Sequence, residues 1–553
     1  VFFLFSGFGL QKENNKGVNL TVKPKPLSQM IESIRKSGRM FEEKRIVNVN
    51  SSVQQRALLN TYLNSFTSLR LDKTKLQNLL NEKNENISFV IPINSRETME
   101  LELYKVNILT DDYKTGSLSG SGAVTYTDYT PGVYYRGIIK GDNESFASLS
   151  VFNDFVMAVA SNKDGNWNLS SIKDESKMYT DNYVFYNDKN LIKKNNFNCG
   201  VTDEQNSIFD KRHDSWQRTP QNDNMPPQLI RKYFECDYKM FQDFGSNTTN
   251  VNNYVTGFFN SCATMYQQDS VNTAIQQIFV WTTPDVYIGL TENISILKRF
   301  GGRNQNSFNG DLAHWISTRT NISGGVAWVG VLCEPFNTSD SSGRYAVSII
   351  DSTFMPFPQY SWTVNVVVHE MGHNLGSNHT HNCSWPGGPI DSCFTIEGGC
   401  YGGPQIPRVG TVMSYCHLNA SINLALGFGP LPGDTIRAHI RRASCLPIGI
   451  SPISSEIPKS FSLSQNYPNP FNPNSKIKFQ IASLSNAKLV VFDILGREVE
   501  TLVNEQLKPG TYQVEFDGSK LASGVYFYKL ETDDPLASSR QSFVETRKMM
   551  LIK

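Results

Sequence analysis

At 553 residues the chain is long enough for three or four domains of about 100–200 residues each. Its 52 basic and 51 acidic side chains nearly cancel, so the charge requires no polyanionic partner, neither nucleic acid nor an acidic membrane surface. An apolar fraction of 39% is that of ordinary globular protein, which excludes collagen-like, coiled-coil and wholly disordered classes.

In chain order, Val1–Leu10 is apolar but too short for a bilayer, which needs roughly 20 such residues. It reads as the remnant of a signal peptide, since a polar run follows at Gln11–Gly17; a buried strand is the alternative. Met30–Glu43 and Gln54–Asn81 have apolar residues at helical spacing. From Ile87 onward the pattern alternates, as in Ala147-Ser-Leu-Ser-Val-Phe152, and predicts strands. Residues 200–228 are polar, with Lys211-Arg212 and Pro226-Pro227, a linker composition with a plausible cleavage point.

Between 229 and 447 the texture changes to mixed helices and strands. Val251–Gln268 predicts a helix, Thr273–Trp281 and Gly324–Leu332 predict strands, and Asp434–Ser444 predicts a closing helix. Ile448–Lys459 is a second linker. From Phe461, short alternating runs punctuated by Gly496, Pro509-Gly510 and Gly524 indicate a small β-sandwich. No internal repeat is present. The domain boundaries expected are therefore 1–10, 11–228, 229–447, 448–460 and 461–553.

Nine cysteines carry a compartment signal. Cys236, Cys262, Cys333, Cys383, Cys393, Cys400, Cys416 and Cys445 crowd into one region, and none forms a Cys-x-x-Cys metal pair. An even set so placed reads as a disulfide framework in an oxidising compartment, with Cys199 left over. Eight cysteines permit about 105 pairings, so spacing alone assigns none.

The segment His369-Glu370-x-x-His373-x-x-Gly376-x-x-His379 carries the chemistry. His369 and His373 lie one helical turn apart and project from one face. Gly376 lets the chain leave the helix with a positive φ, which brings His379 round as a third ligand. Three protein ligands and an open fourth position define a catalytic zinc site. Zinc lowers the pKa of bound water towards ~7, and Glu370 is placed to take its proton. A bare His-Glu-x-x-His has a real false-positive rate; the extended form, followed by a Met in a turn, is far more specific. Gly410-Thr-Val-Met413-Ser-Tyr415 supplies that turn. Met413 is expected beneath the metal as packing. Tyr415 is either a fifth ligand or oxyanion partner, or a packed tyrosine with a satisfied hydroxyl. His381 and His417 are expected to be ordinary loop residues, because three histidines already fill the site.

These residues resemble the reprolysin (adamalysin-like) branch of the metzincins over roughly 229–447. Asp237-Tyr-Lys-Met-Phe241 and Gly325-Val-Ala-Trp-Val-Gly-Val-Leu-Cys333 add to the motif itself. The resemblance implies a two-lobed α/β endopeptidase with its cleft between the lobes, a Cys333–Cys445 bridge, and other bridges around 383–416. Thr380 stands where that family usually has Asp, and no calcium ligands are evident around Cys445, so calcium is left open. Asn198-Cys199-Gly200-Val201-Thr202 resembles the cysteine switch of the family's propeptides, in which a thiolate blocks the open zinc position; the alternative is an inert free thiol. Residues 11–228 are then an α+β propeptide.

Phe461–Pro473, Val491–Val499, Leu521–Tyr526 and the final Lys548–Lys553 resemble the type A sorting domain of the type IX secretion system. That resemblance implies an all-β Ig-like sandwich, transit through the periplasm and outer membrane, and the secretion machinery as a partner. A substrate-binding Ig-like module is the alternative. The expected function is a secreted, monomeric zinc endopeptidase, made as a zymogen and acting on extracellular protein. The rival is a catalytically silent, zinc-stabilised adhesin, against which the Glu370 carboxylate argues.

Overall fold

The structure is a computed structural model and describes residues 25–175, 178–193, 199–201, 228–350, 356–398, 400, 408, 410–418, 421–443, 445–446, 451–454, 458–483, 485–507, 509–519, 521–533 and 543–553. The expected signal remnant at 1–10 and the 200–228 linker, except residues 200, 201 and 228, lie outside them.

The N-terminal part is built on a ten-stranded sheet. Its neighbours run in the order 42–44, 86–92, 98–106, 133–139, 146–151, 156–162, 165–173, 179–187, 67–71 and 47–49. All of its pairs are antiparallel except Glu42–Lys44, which runs parallel to Asn86–Pro92. The two helices expected here are shorter than their apolar spacing suggests. The first ends at Lys36, and Gln54–Asn81 divides into helix Val53–Leu59, strand Thr67–Leu71 and helix Lys73–Glu82. The physical reason is two separate helix starts. Ser52 Oγ caps Gln55 N–H, and Asp72 caps Lys75 N–H, with the alternating Thr67-Ser-Leu-Arg-Leu between them.

A second, seven-stranded sheet runs in the order Gly324–Ala327, Tyr345–Ile349, Leu312–Ser317, Leu229–Cys236, Asn272–Trp281, Leu109–Leu118 and Val124–Thr127. Its five central strands are parallel and its two edges antiparallel. Two of its strands thus come from the N-terminal part, across the boundary expected at 228. The expected strand Gly324–Leu332 leaves the sheet after Ala327. Gly330 N–H and Val331 N–H then donate to the carbonyls of His373 and Asn374, closing the end of the histidine-bearing helix Tyr360–Asn374. The closing helix spans Pro430–Arg442 and so starts earlier than expected, because Pro430 occupies the first turn, where no N–H partner is needed.

Between the two sheets lies the helix Thr248–Gln268, buried along most of its length. One continuous core joins Phe146, Met157 and Val159 of the N-terminal sheet to Phe258, Phe259 and Met265 of this helix and to Val367 and Met371 of the histidine-bearing helix. Each such buried side chain contributes about 1.5–3 kcal/mol relative to exposure. Inside the contact, Asn260 Nδ2 donates to the carbonyls of Tyr135 and Leu149, and Arg136 Nε donates to Asn260 Oδ1.

The C-terminal part is a sandwich of two four-stranded antiparallel sheets around its own core. Ser451–Ser454, inside the expected linker, pairs with Gly510–Asp517 and belongs to this sandwich. Disulfides join Cys333–Cys445, Cys383–Cys400 and Cys393–Cys416. Cys236 and Cys262, counted in the expected framework, are instead buried thiols of the apolar core. Among the described residues, no helix is long and apolar enough to cross a membrane.

Asp188 follows the strand Tyr179–Asn187 and meets the start of the histidine-bearing helix. Its Oδ2 accepts from Asn166 Nδ2 at 2.7 Å and Ser361 Oγ at 3.2 Å. Burial pushes this carboxyl up to about 6, against the pull of those hydrogen bonds. A raised carboxyl stabilises the fold fully below the unfolded value of about 4 and loses that contribution as pH rises through 6. Asp188→Asn is therefore expected to unfold at a higher temperature than wild type at pH 7.5, with the gap closing near pH 4. A lower midpoint at pH 7.5 would contradict this, and thermal melts across the range decide it.

Candidate metal centre

The helix Tyr360–Asn374 is buried along nearly all of its length, and it carries His369, Glu370 and His373 into the interior. After His373 the chain turns at Gly376, whose φ of +97° is a backbone conformation that residues with a Cβ rarely adopt. That turn returns His379 to the two helical histidines. The Nε2 atom of His373 lies 3.2 Å from that of His369 and 3.1 Å from that of His379.

Each Nδ1 is already committed. His369 Nδ1 meets the Val412 carbonyl at 2.8 Å, His373 Nδ1 the Ser377 carbonyl at 2.7 Å, and His379 Nδ1 the Glu397 carboxylate at 2.9 Å. These oxygens can only accept, so the ring proton sits on Nδ1 and each Nε2 presents a lone pair. Burial pushes all three imidazoles below their usual value, so they are neutral. Three neutral nitrogens facing one spot, with no proton between them, are a donor set for a cation. Their spacing is close to the roughly 3.3 Å edge of a tetrahedral site with Zn–N of about 2.0–2.1 Å.

Cys199 approaches from the N-terminal part. Its Sγ is 3.6 Å from His373 Nε2 and 3.7 Å from Glu370 Oε2, and it belongs with the three histidines to one group of possible ligands. Cys199 pairs in parallel with Gly325 on the edge strand, where Gly200 N–H donates to the Gly325 carbonyl at 2.8 Å. The Tyr415 hydroxyl donates to the Cys199 carbonyl at 3.2 Å. Burial, and after it the Glu370 charge, push the thiol well above its ordinary value.

Glu370 is fully buried, and its Oε1 has no hydrogen-bond partner among the described residues. Burial raises its carboxyl well above the carboxylate range. Gly325 makes room for it: a Cβ at that position would fall 2.5 Å from Glu370 Oε1. Met413 packs under the helix, where a Cβ on Gly372 would lie 2.7 Å from its Sδ. Thr380 N–H donates to the Met413 carbonyl, while Thr380 Oγ1 donates to the buried Asp391.

One histidine departs from the expectations. His381, expected to be an ordinary loop residue, is fully buried, stacks on His379 and bonds to Glu397 at 3.1 Å. His417 is half-buried, its ring 5.8 Å from those of Trp362 and Tyr415. Cys333–Cys445, the bridge that the resemblance implies, ties the segment after the edge strand to the chain just beyond the closing helix. Glu397 and the steric role of Gly325 carried no signal in the sequence, since their partners lie in distant segments. Hydrogen bonds from His379 and His381 outweigh burial and hold the Glu397 carboxyl well below its usual range.

Among solved structures, one chain of a chaperone-substrate complex is similar over 53% of this chain at 10% identity and a TM-score of 0.23; this chain spans 40% of that chain's length. An archaemetzincin from Methanopyrus kandleri is similar over its whole length to 41% of this chain, at 12% identity and a TM-score of 0.24. The family model described as Metallo-peptidase family M12 matches residues 227–420, and that of the secretion system C-terminal sorting domain matches residues 465–544. The chain thus pairs a reprolysin-type metallopeptidase family M12 region with a type IX secretion sorting domain, which marks it for export to the cell surface or beyond.

Proposed function

We propose that the chain is a zinc-dependent endopeptidase of extracellular proteins, exported as a latent precursor. The observation that supports it most is the convergence of three Nε2 lone pairs beside a buried carboxylate with an unpartnered oxygen. His369, His373 and His379 would hold the metal. Zinc, when bound, supplies a Lewis acid that acidifies water and polarises a carbonyl.

Glu370 is the general base. Its unpartnered Oε1 is free to take a proton from water and to release it later to the leaving amide nitrogen. The edge strand Gly324–Ala327 would hold the substrate backbone, as an exposed sheet edge binds an extended peptide. Cys199–Val201 already uses that edge at Gly325, so the precursor's own chain covers the peptide site while its thiol faces the histidines. We therefore assign residues 11–228 to a propeptide, with Cys199 as its blocking residue, and 461–553 to a sorting tail whose sandwich recruits Ser451–Ser454. The loop after Met413, over 418–428, would shape substrate preference.

Glu370→Gln in the processed protein should keep its zinc and lose about 10²–10⁴ in rate on a denatured protein substrate. Metal analysis beside a cleavage assay tests this, and hydrolysis at the wild-type rate would refute the base assignment. Cys199→Ser should leave an unprocessed chain that cleaves substrate without prior activation. If that variant stays as inactive as the wild-type precursor, the blocking role of Cys199 is wrong.

A further inference from the structure

Glu397 reaches the histidine cluster from a loop that follows it in sequence. Its Oε1 lies 2.9 Å from His379 Nδ1 and 3.1 Å from His381 Nε2, and its Oε2 accepts from Asn382 Nδ2 at 3.1 Å. The backbone repeats the tie: Glu397 N–H donates to the His381 carbonyl, Cys383 N–H donates to the Glu397 carbonyl, and Asn382 and Glu397 form a parallel bridge. The Cys383–Cys400 disulfide closes this loop covalently. The His381 ring lies flat against His379, with centroids 5.0 Å apart and planes inclined by 7°. His369 and His373, by contrast, give their Nδ1 protons to neutral carbonyls.

We propose that Glu397 is a positioning residue for the metal, which makes His379 the strongest donor of the three, and that the Cys383–Cys400 bridge holds it in place. The proposal rests on the reading of the three histidines as metal ligands. A carboxylate that accepts an imidazole N–H draws the proton towards itself and enriches the opposite nitrogen in electron density. It also fixes the ring's rotation, and loss of such a partner typically weakens metal affinity 10–100-fold. His381 and Asn382 supply the other hydrogen bonds that hold this carboxylate in its orientation. The asymmetry is a property of this chain, because one ligand has a charged partner and two have backbone partners.

Zinc affinity of the full chain, measured in competition with a chromophoric chelator, tests the proposal, together with the visible spectrum of the Co²⁺-loaded chain. Glu397→Gln keeps an acceptor of the same shape and removes the charge. It should bind zinc about 10–100-fold more weakly and shift the cobalt bands; a role in packing alone would move neither. The pair Cys383→Ser and Cys400→Ser should lose affinity similarly, with little further loss when combined with Glu397→Gln, because both act through the same carboxylate. Should Glu397→Gln fail to fold, the cysteine pair alone carries the test. Wild-type affinity in either variant, or losses that add in full, would overturn the proposal. A wild-type chain that binds no zinc would instead remove the ligand assignment beneath it.

Discussion

Neutral imidazoles bring their lone pairs within about 3 Å of one another only when something else holds each ring's proton on the far side. Here the holders are the Val412 carbonyl, the Ser377 carbonyl and the Glu397 carboxylate. Much of the surrounding architecture follows from placing those three oxygens. The Gly376 turn sets Ser377 beneath His373. The Thr411–Ser414 segment carries Val412 to His369 and Met413 to the underside of the helix, and glycine at 372 keeps that contact free of a clash. The Cys383–Cys400 and Cys393–Cys416 bridges close the loops that complete the shell. Burial then keeps the rings uncharged, which a cation-binding nitrogen requires.

The edge strand serves two competing ends. Gly325 lacks a side chain because Glu370 passes over it, and the same residue offers its carbonyl to Gly200 N–H. In the proposed reading, latency and substrate binding draw on one set of backbone hydrogen bonds, so the Cys199 segment and a peptide compete for the Gly325 edge, and the thiol's hold at the histidines tips that competition towards the segment. Tyr415 sits at this junction, its hydroxyl on the Cys199 carbonyl and its ring 4.7 Å from that of His379. In that reading the change of state is the departure of one short extended segment from the edge strand.

The N-terminal part is built into the body of the fold. Its strands Leu109–Leu118 and Val124–Thr127 extend the seven-stranded sheet, and its ten-stranded sheet packs on the helix Thr248–Gln268. Gly257 on that helix approaches Met157 so closely that a Cβ would lie 2.5 Å from its sulfur. The apolar area in this contact belongs to the same continuous core as the underside of the histidine-bearing helix. The packing beneath the histidine-bearing helix is therefore continuous with that of the N-terminal sheet.

Local periodicity made His369, Glu370, His373, the turn at Gly376 and the return of His379 legible in the sequence, because a helix and one glycine turn relate residues close along the chain. The same locality made the C-terminal strands readable from their alternation. It misled where two short helices flanked Thr67–Leu71, and where apolar continuity ran past Ala327 although the backbone had turned to close a helix. Counting cysteines could not separate the six in bridges from Cys236 and Cys262, since pairing depends on which Cα atoms the fold brings within about 4.4–6.8 Å. Glu397, His381 and the need for glycine at 325 were decided only by the tertiary structure. Their partners lie on other elements, and no spacing along one segment encodes the distance between two.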